Sequence, residues 1–288
     1  MRHILLLSIF TLLLSAFSYE IDATTVANGQ TTLVQFTNQE GITYEKAIVD
    51  EKEYKILQNP FNKTKSYILV PINYYTKPSE KKIAVYFKKN NKSVENFLVL
   101  TIEDAHYPKE ELQVSDSKVH LSAEDKQRAQ KEYQEAMRIY QTVTPKSYIN
   151  SEFIVPLSSK ITSAFGKART FNGSLKSYHG GTDFRAATGA PIRASNDGVV
   201  AIAKDRFYAG GSVIIDHGHG IYTSYFHLSA IHVQEGERVK KSQIVGLAGA
   251  TGRVTGPHLH FGVRVNAEQV DPLQFITLVN SNLIQGQK

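Results

Sequence analysis

His258-Leu259-His260-Phe261-Gly262-Val263-Arg264-Val265, near the C-terminus, is the stretch from which the fold is read. Its β-branched and aromatic residues favour a strand, and in a strand residues two apart face the same side. His258 and His260 therefore project together, while Leu259 turns to the opposite face. A second pattern lies upstream, His179-Gly180-Gly181-Thr182-Asp183. Its paired glycines disfavour a helix, so the segment reads as a tight loop running into the strand Asp183-Phe184-Arg185. Such a loop can fold an imidazole and a carboxylate toward one point.

Around these two patterns, from about Phe153 to Ile276, glycine turns alternate with short β-branched runs: Gly198 to Ala203, Ser212 to Asp216, Ile221 to Phe226 and Gln243 to Ala248. The expected unit is an all-β sheet or open barrel with glycine-rich loops at its rims. Seven of the ten histidines fall inside it, which directs the search for chemistry there. Further upstream, Thr32–Phe36, Tyr54–Leu57, Tyr67–Val70, Ile83–Phe87 and Phe97–Leu100 are short β-rich runs separated by polar turns. They predict a small antiparallel β-domain, an immunoglobulin-like sandwich being one form. Between the two units, Ser122 followed by Asp125 gives a capping-box-like helix start. Ala129, Tyr133, Ala136, Met137 and Tyr140 recur at helical spacing, and Pro145 stops the pattern. The fold class expected is thus mainly β, two β units joined by a helix.

Arg2, the apolar run Ile4–Leu14 and the small-x-small ending Ala16-Phe17-Ser18 have the form of a secretory signal cleaved after Ser18. The run is shorter than the roughly 20 apolar residues of a membrane span, so no stable transmembrane segment is expected after cleavage. The chain has no cysteine, which excludes a disulfide framework and a lipoprotein anchor. The formal charge of +6 becomes 6 − 1 = +5 without Arg2. That charge suits an anionic polymer, but it is too dispersed for a nucleic-acid interface.

The His and Asp patterns together suit a metal. Zinc takes imidazole nitrogen and carboxylate oxygen, and a catalytic site supplies three protein ligands with one position left for water. Zinc with one carboxylate retains a net positive charge that favours ionising that water. The HExxH pattern, with its glutamate base, is absent, so a base must come from the remaining histidines.

The flanking residues extend the match. Thr162-Ser163-Ala164-Phe165-Gly166 with Arg169, His179 to Phe184, Ala190 to Ala194, Gly198-Val199-Val200, Ile215 to Gly218, Tyr225 to Ser229, Gly249 to Phe261 and Val270-Asp271-Pro272 together resemble the M23 (LytM/lysostaphin-type) zinc metallopeptidase domain. More loosely, the signal, β-domain and helix resemble periplasmic cell-wall D,D-endopeptidases of the cell-shape type in helical Gram-negative bacteria. The resemblance implies a C-terminal LytM-type antiparallel β-sheet peptidase domain. It implies His179, Asp183 and His260 as zinc ligands, His258 as the general base, and His227 as stabiliser of the oxyanion, the last two roles being exchangeable. The implied organisation is a signal at 1–18, a β-rich domain at 19–104, a linker at 105–152 with a helix at about 122–143, the peptidase domain at 153–276 and a tail at 277–288.

The function so implied is a zinc-dependent peptidoglycan hydrolase acting on stem peptides in the periplasm. It would cut the D-Ala to diaminopimelate cross-link as a D,D-endopeptidase, with D,D-carboxypeptidase action by the same site, and serve wall remodelling and cell shape as a monomer. The alternatives are an M23-fold regulator of another wall hydrolase, which would usually have lost metal ligands, a structural envelope protein, and a glycine-bridge peptidase. His217 and His219 are expected to be structural and His232 a surface residue. His106 and His120 in the connector are candidate blockers of a latent site.

Overall fold

The computed structural model describes residues 17–112, 122–171 and 175–285. The expected signal segment, apart from Phe17 and Ser18, and His120 lie outside these residues.

The first unit consists of two sheets facing each other. Strands Tyr19–Ile21, Thr31–Thr37, Lys65–Pro71 and Leu57–Gln58 form one; Thr25–Ala27, Lys92–Glu103, Ser79–Lys89, Ile42–Val49 and Lys52–Lys55 form the other. Their inward residues, among them Val34, Phe36, Ile83, Val85 and Leu100, make one buried cluster. Two details differ from the sequence expectation. Ile42–Val49 is a strand although Glu45 and Lys46 interrupt its apolar pattern, because only Ala47 and Val49 need to be buried. The run Tyr54–Leu57 is broken at Ile56, where the chain passes from one sheet to the other.

Ser122 Oγ accepts a hydrogen bond from Asp125 N and starts the helix Ala123–Tyr140. Only the C-terminal half of its apolar stripe is buried: Ala136 and Tyr140 pack on Ile202, Ile214 and Tyr222. Tyr133 remains 57% exposed, so the earlier part of the stripe is not core.

The second unit is built on a ten-stranded sheet. Its main path runs Ile161–Ser163, Thr182–Arg185, His258–Val265, Ile221–Ile231, Gly210–Asp216, Gly198–Arg206, Arg238–Val239. Leu259, Phe261, Val263 and Val265 point from the central strand into the core. The helix Pro272–Leu278 and the π-helical turn Val279–Ile284 cover that core, with Phe275, Val279 and Leu283 fully buried. Leu33, Tyr67 and Leu69 of the first unit belong to this same cluster. Gln274 clamps the contact by exchanging two hydrogen bonds with the Thr31 backbone, at 3.1 and 2.8 Å. Tyr74 stacks on Tyr178, the residue before His179, with ring centroids 3.8 Å apart. The first unit therefore buttresses the loop that carries a candidate ligand.

Candidate functional site

Strand register does most of the assembly. Asp183 lies directly opposite His260 in an antiparallel pair, and Phe226 lies opposite His260 on the other side. Directly paired residues in such a ladder place their side chains side by side on one face. His179 enters from the preceding loop, which is fixed by His179 N to Lys167 O and Gly166 N to His179 O. Gly181 allows the close approach: a Cβ there would stand 2.5 Å from the Phe261 carbonyl oxygen and 2.6 Å from His260 Nε2. No side chain fits there.

The ligating atoms of His179, Asp183 and His260 all lie within 4.8 Å of one another. His179 Nε2 is 2.9 Å from Asp183 Oδ1 and 3.1 Å from His260 Nδ1, and His260 Nδ1 is 2.9 Å from the same carboxylate oxygen. His179 Nδ1 is 2.9 Å from the Ala164 carbonyl, which can only accept, so the proton sits on Nδ1 and the Nε2 lone pair faces inward. Lone pairs of nitrogen and carboxylate oxygen then meet at hydrogen-bond distance, an arrangement that a cation between them relieves. The residues fit a metal ion. Burial alone would raise the Asp183 pKa, but the His179 and His260 rings beside it outweigh that effect and hold the carboxyl well below the usual range. It is an anion at any working pH. Burial lowers the His260 pKa, keeping the ring neutral and able to coordinate.

Two further imidazoles border this point. His258 Nε2 is 3.7 Å from Asp183 Oδ1, and its Nδ1 donates to the Gly256 carbonyl at 2.8 Å. His227 stacks obliquely on His258, centroids 4.8 Å apart, and donates from Nδ1 to the Thr251 carbonyl at 2.9 Å. In both rings the Nδ1 proton is committed to a carbonyl, so each neutral ring presents a bare Nε2. Such a nitrogen is a base, and becomes a donor only after taking a proton. Burial, with the neighbouring His260 ring next, lowers the His227 pKa to about 3.

His227 reaches this face by an irregularity. Phe226 stacks parallel to His260 at 5.6 Å, and strand alternation would send the next residue to the opposite side. A left-handed backbone at His227 (φ 65°), its N–H bonded to Ala209 O, and a bulge between Tyr225 and Leu228 against the Gly210–Asp216 strand bring both residues to one side. Strand periodicity could not have foretold this. The orienting carbonyls of Ala164, Thr251 and Gly256 and the flat face of Phe226 were also missed by side-chain reasoning, although they lie inside the motif blocks.

The other described histidines go elsewhere. His217 and His219 are buried and hydrogen-bonded at both nitrogens, and His232 is exposed. His106 has an 87% exposed side chain beside Asp104 and is not among the metal-site residues.

Residues 177–272 match the family model "Peptidase family M23". The chain carries an M23 peptidase domain. It is 46% identical over 96 residues to the peptidoglycan DD-endopeptidase ShyA of Vibrio cholerae, covering 33% of this chain and 22% of ShyA. It is 41% identical over 110 residues to the DD-carboxypeptidase/endopeptidase Mpg of Neisseria meningitidis, covering 38% of this chain and 25% of Mpg. The matched region thus spans about a quarter of these relatives' length. Across both units, the fold is similar to that of a Pseudomonas aeruginosa protein assigned to peptidase M23: TM-score 0.65 at 26% identity, covering 87% of this chain and 94% of that one.

Proposed function

We propose that the chain is a zinc-dependent peptidase that cuts peptidoglycan stem-peptide cross-links between D-alanine and diaminopimelate, acting as a monomer in the periplasm after loss of residues 1–18. The observation that carries this reading is the convergence of His179, Asp183 and His260 beside two imidazoles whose Nε2 atoms are bare. Two neutral nitrogens and one carboxylate oxygen suit zinc. Bound there, zinc would polarise the scissile carbonyl and acidify the attacking water.

The chain's own groups do the rest. His258 Nε2, 3.7 Å from the Asp183 carboxylate, takes the proton of the water as its oxygen adds to the carbonyl carbon. His227 borders the same point, and its bare Nε2 could stabilise the oxyanion only after itself taking a proton, or it could exchange roles with His258 as the base. The C–N bond then breaks, and the proton taken from water passes to the departing amine. Asp183 stays anionic throughout, and the Ala164 carbonyl fixes the His179 ring for coordination.

The curated relatives act on peptidoglycan by name, and one is also a DD-carboxypeptidase, so trimming of pentapeptides by the same site belongs to the proposal. The division into a β-rich domain at 19–104, a linker at 105–152 and a peptidase domain at 153–276 is part of the same reading, as is a role in wall remodelling and cell shape. An M23-fold regulator without activity is the less favoured reading, since all three ligand positions are filled by ligating residues. Incubating the mature chain and zinc with a cross-linked muropeptide dimer tests this: monomer products are expected, and an intact dimer with stoichiometric zinc bound would refute it.

A further inference from the structure

On the face of the sheet that carries His258 and His260, the same strand continues through Gly262 to Arg264. Arg264 lies four residues beyond His260, about 13 Å along a strand rising ~3.3 Å per residue. There a cavity of about 580 Å³ opens where the three parts of the protein meet. Lys52 and Asn73 come from the first unit, Met137 from the connecting helix, and Tyr178, Arg264 and Gln269 from the peptidase domain. That volume is in the range that holds a small ligand.

The charges of the lining are unequal in their pairing. Glu53 is bonded to Lys46 at 2.8 Å, and Glu268 faces Lys52 at 3.5 Å and accepts from Asn73 at 2.9 Å. Arg264 donates to the Ala267 carbonyl at 2.5 Å and to Gln269 Oε1 at 3.3 Å, and lies over the Tyr140 ring at 4.7 Å. Among the described residues, no carboxylate lies in ion-pair range of it. A half-buried guanidinium without a counter-charge favours an anion, and its planar fork suits a carboxylate. The cavity is also wired to the candidate metal site. Gln269, which accepts from Arg264, donates to the Gly180 carbonyl at 2.6 Å, next to His179, and packs so closely that a Cβ on Gly180 would stand 2.3 Å from its side-chain nitrogen.

We propose that this cavity is a binding subsite for a carboxylate of the wall stem peptide, received by Arg264 and enclosed by the first unit and the helix. The identity of the peptide rests on the function proposed above; the preference for a carboxylate rests on the cavity alone. It assigns the first unit and the helix a share in substrate binding, remote from the reacting atoms.

The sequence supplies a reporter, because Met137 is one of only two methionines, the other being Met1. The full chain, labelled with methyl-¹³C methionine, is titrated with a disaccharide tetrapeptide, which is uncross-linked and so is not cut. The Met137 methyl signal should shift and saturate. The same peptide with its carboxylates amidated should bind at least tenfold more weakly, and Arg264→Gln should lose that discrimination. An unmoved Met137 signal, or equal binding of the amidated and free peptides, overturns the subsite. The ligand-side comparison needs no variant and survives misfolding of Arg264→Gln. A saturable Met137 shift in a protein that leaves cross-linked dimers intact would sink the proposed peptidase activity and leave the subsite standing.

Discussion

The chain contains the pattern His-x-His twice within one domain, and the two copies have opposite fates. In His217-Gly218-His219 every ring nitrogen has a protein partner: His217 meets the Asp197 carbonyl at 2.7 Å and Thr223 Oγ1 at 2.8 Å, and His219 meets Tyr67 Oη at 2.7 Å and the Pro145 carbonyl at 2.9 Å. In His258-Leu259-His260 the rings are anchored at one nitrogen or gathered about a carboxylate. His258 is held through Nδ1, and His260 directs Nδ1 at Asp183. A histidine satisfied on both sides is a core polar residue; one with a nitrogen left over can coordinate or move protons. What separates the copies is hydrogen-bond capacity left unspent, not sequence spacing or burial.

The largest effect expected from this contrast is at Asp183. Asp183→Ala should abolish both stoichiometric zinc and muropeptide cleavage, whereas His217→Ala should retain zinc while losing about 3 kcal/mol of stability through its orphaned partners. Metal analysis and denaturant melts on the two variants would erase the comparison if both kept zinc or both lost it. Next, His258→Ala should keep its zinc and lose activity by about 10²- to 10⁴-fold. Zinc loss in that variant would make His258 a ligand instead of a base.

The buried copy should betray itself by pH. Burial lowers the His217 pKa from its usual 6.5 to about 4, and burial also lowers that of His219. The unfolded chain therefore binds protons that the folded one refuses. Stability is fully present above pH 6.5 and is lost as pH falls toward 4, by about 3 kcal/mol from His217. Melts of His217→Gln should show a shallower decline over that window; an unchanged slope would mean that the ring is protonated in the fold. The smallest effect concerns the contact between the units. Tyr67→Phe removes the hydroxyl that meets His219 and should cost about 1 kcal/mol without changing zinc content.

Much of the candidate site was legible because strand periodicity is a rigid rule. It aims His258 and His260 to one side, and a glycine-rich entry to a strand lets His179 and Asp183 converge. His227 was legible only through resemblance of its surrounding block, since its position depends on a bulge and a left-handed backbone that alternation contradicts. The strand at Ile42–Val49 escaped notice because a strand at half burial can carry Glu45 and Lys46 outward. The helix was visible from its cap and period, but how much of its face is covered depends on where it crosses the sheet, and Tyr133 is left to solvent. The stacking of Tyr74 on Tyr178 joins residues more than a hundred positions apart, and no local pattern encodes it.

Anomalous scattering recorded at the zinc edge from crystals of the mature chain is the most direct trial of the metal assignment. A single peak is expected within about 2.0–2.2 Å of His179 Nε2, His260 Nδ1 and an Asp183 oxygen. A peak at His217 and His219 instead, or none at these three atoms in crystals grown with zinc, would contradict the account.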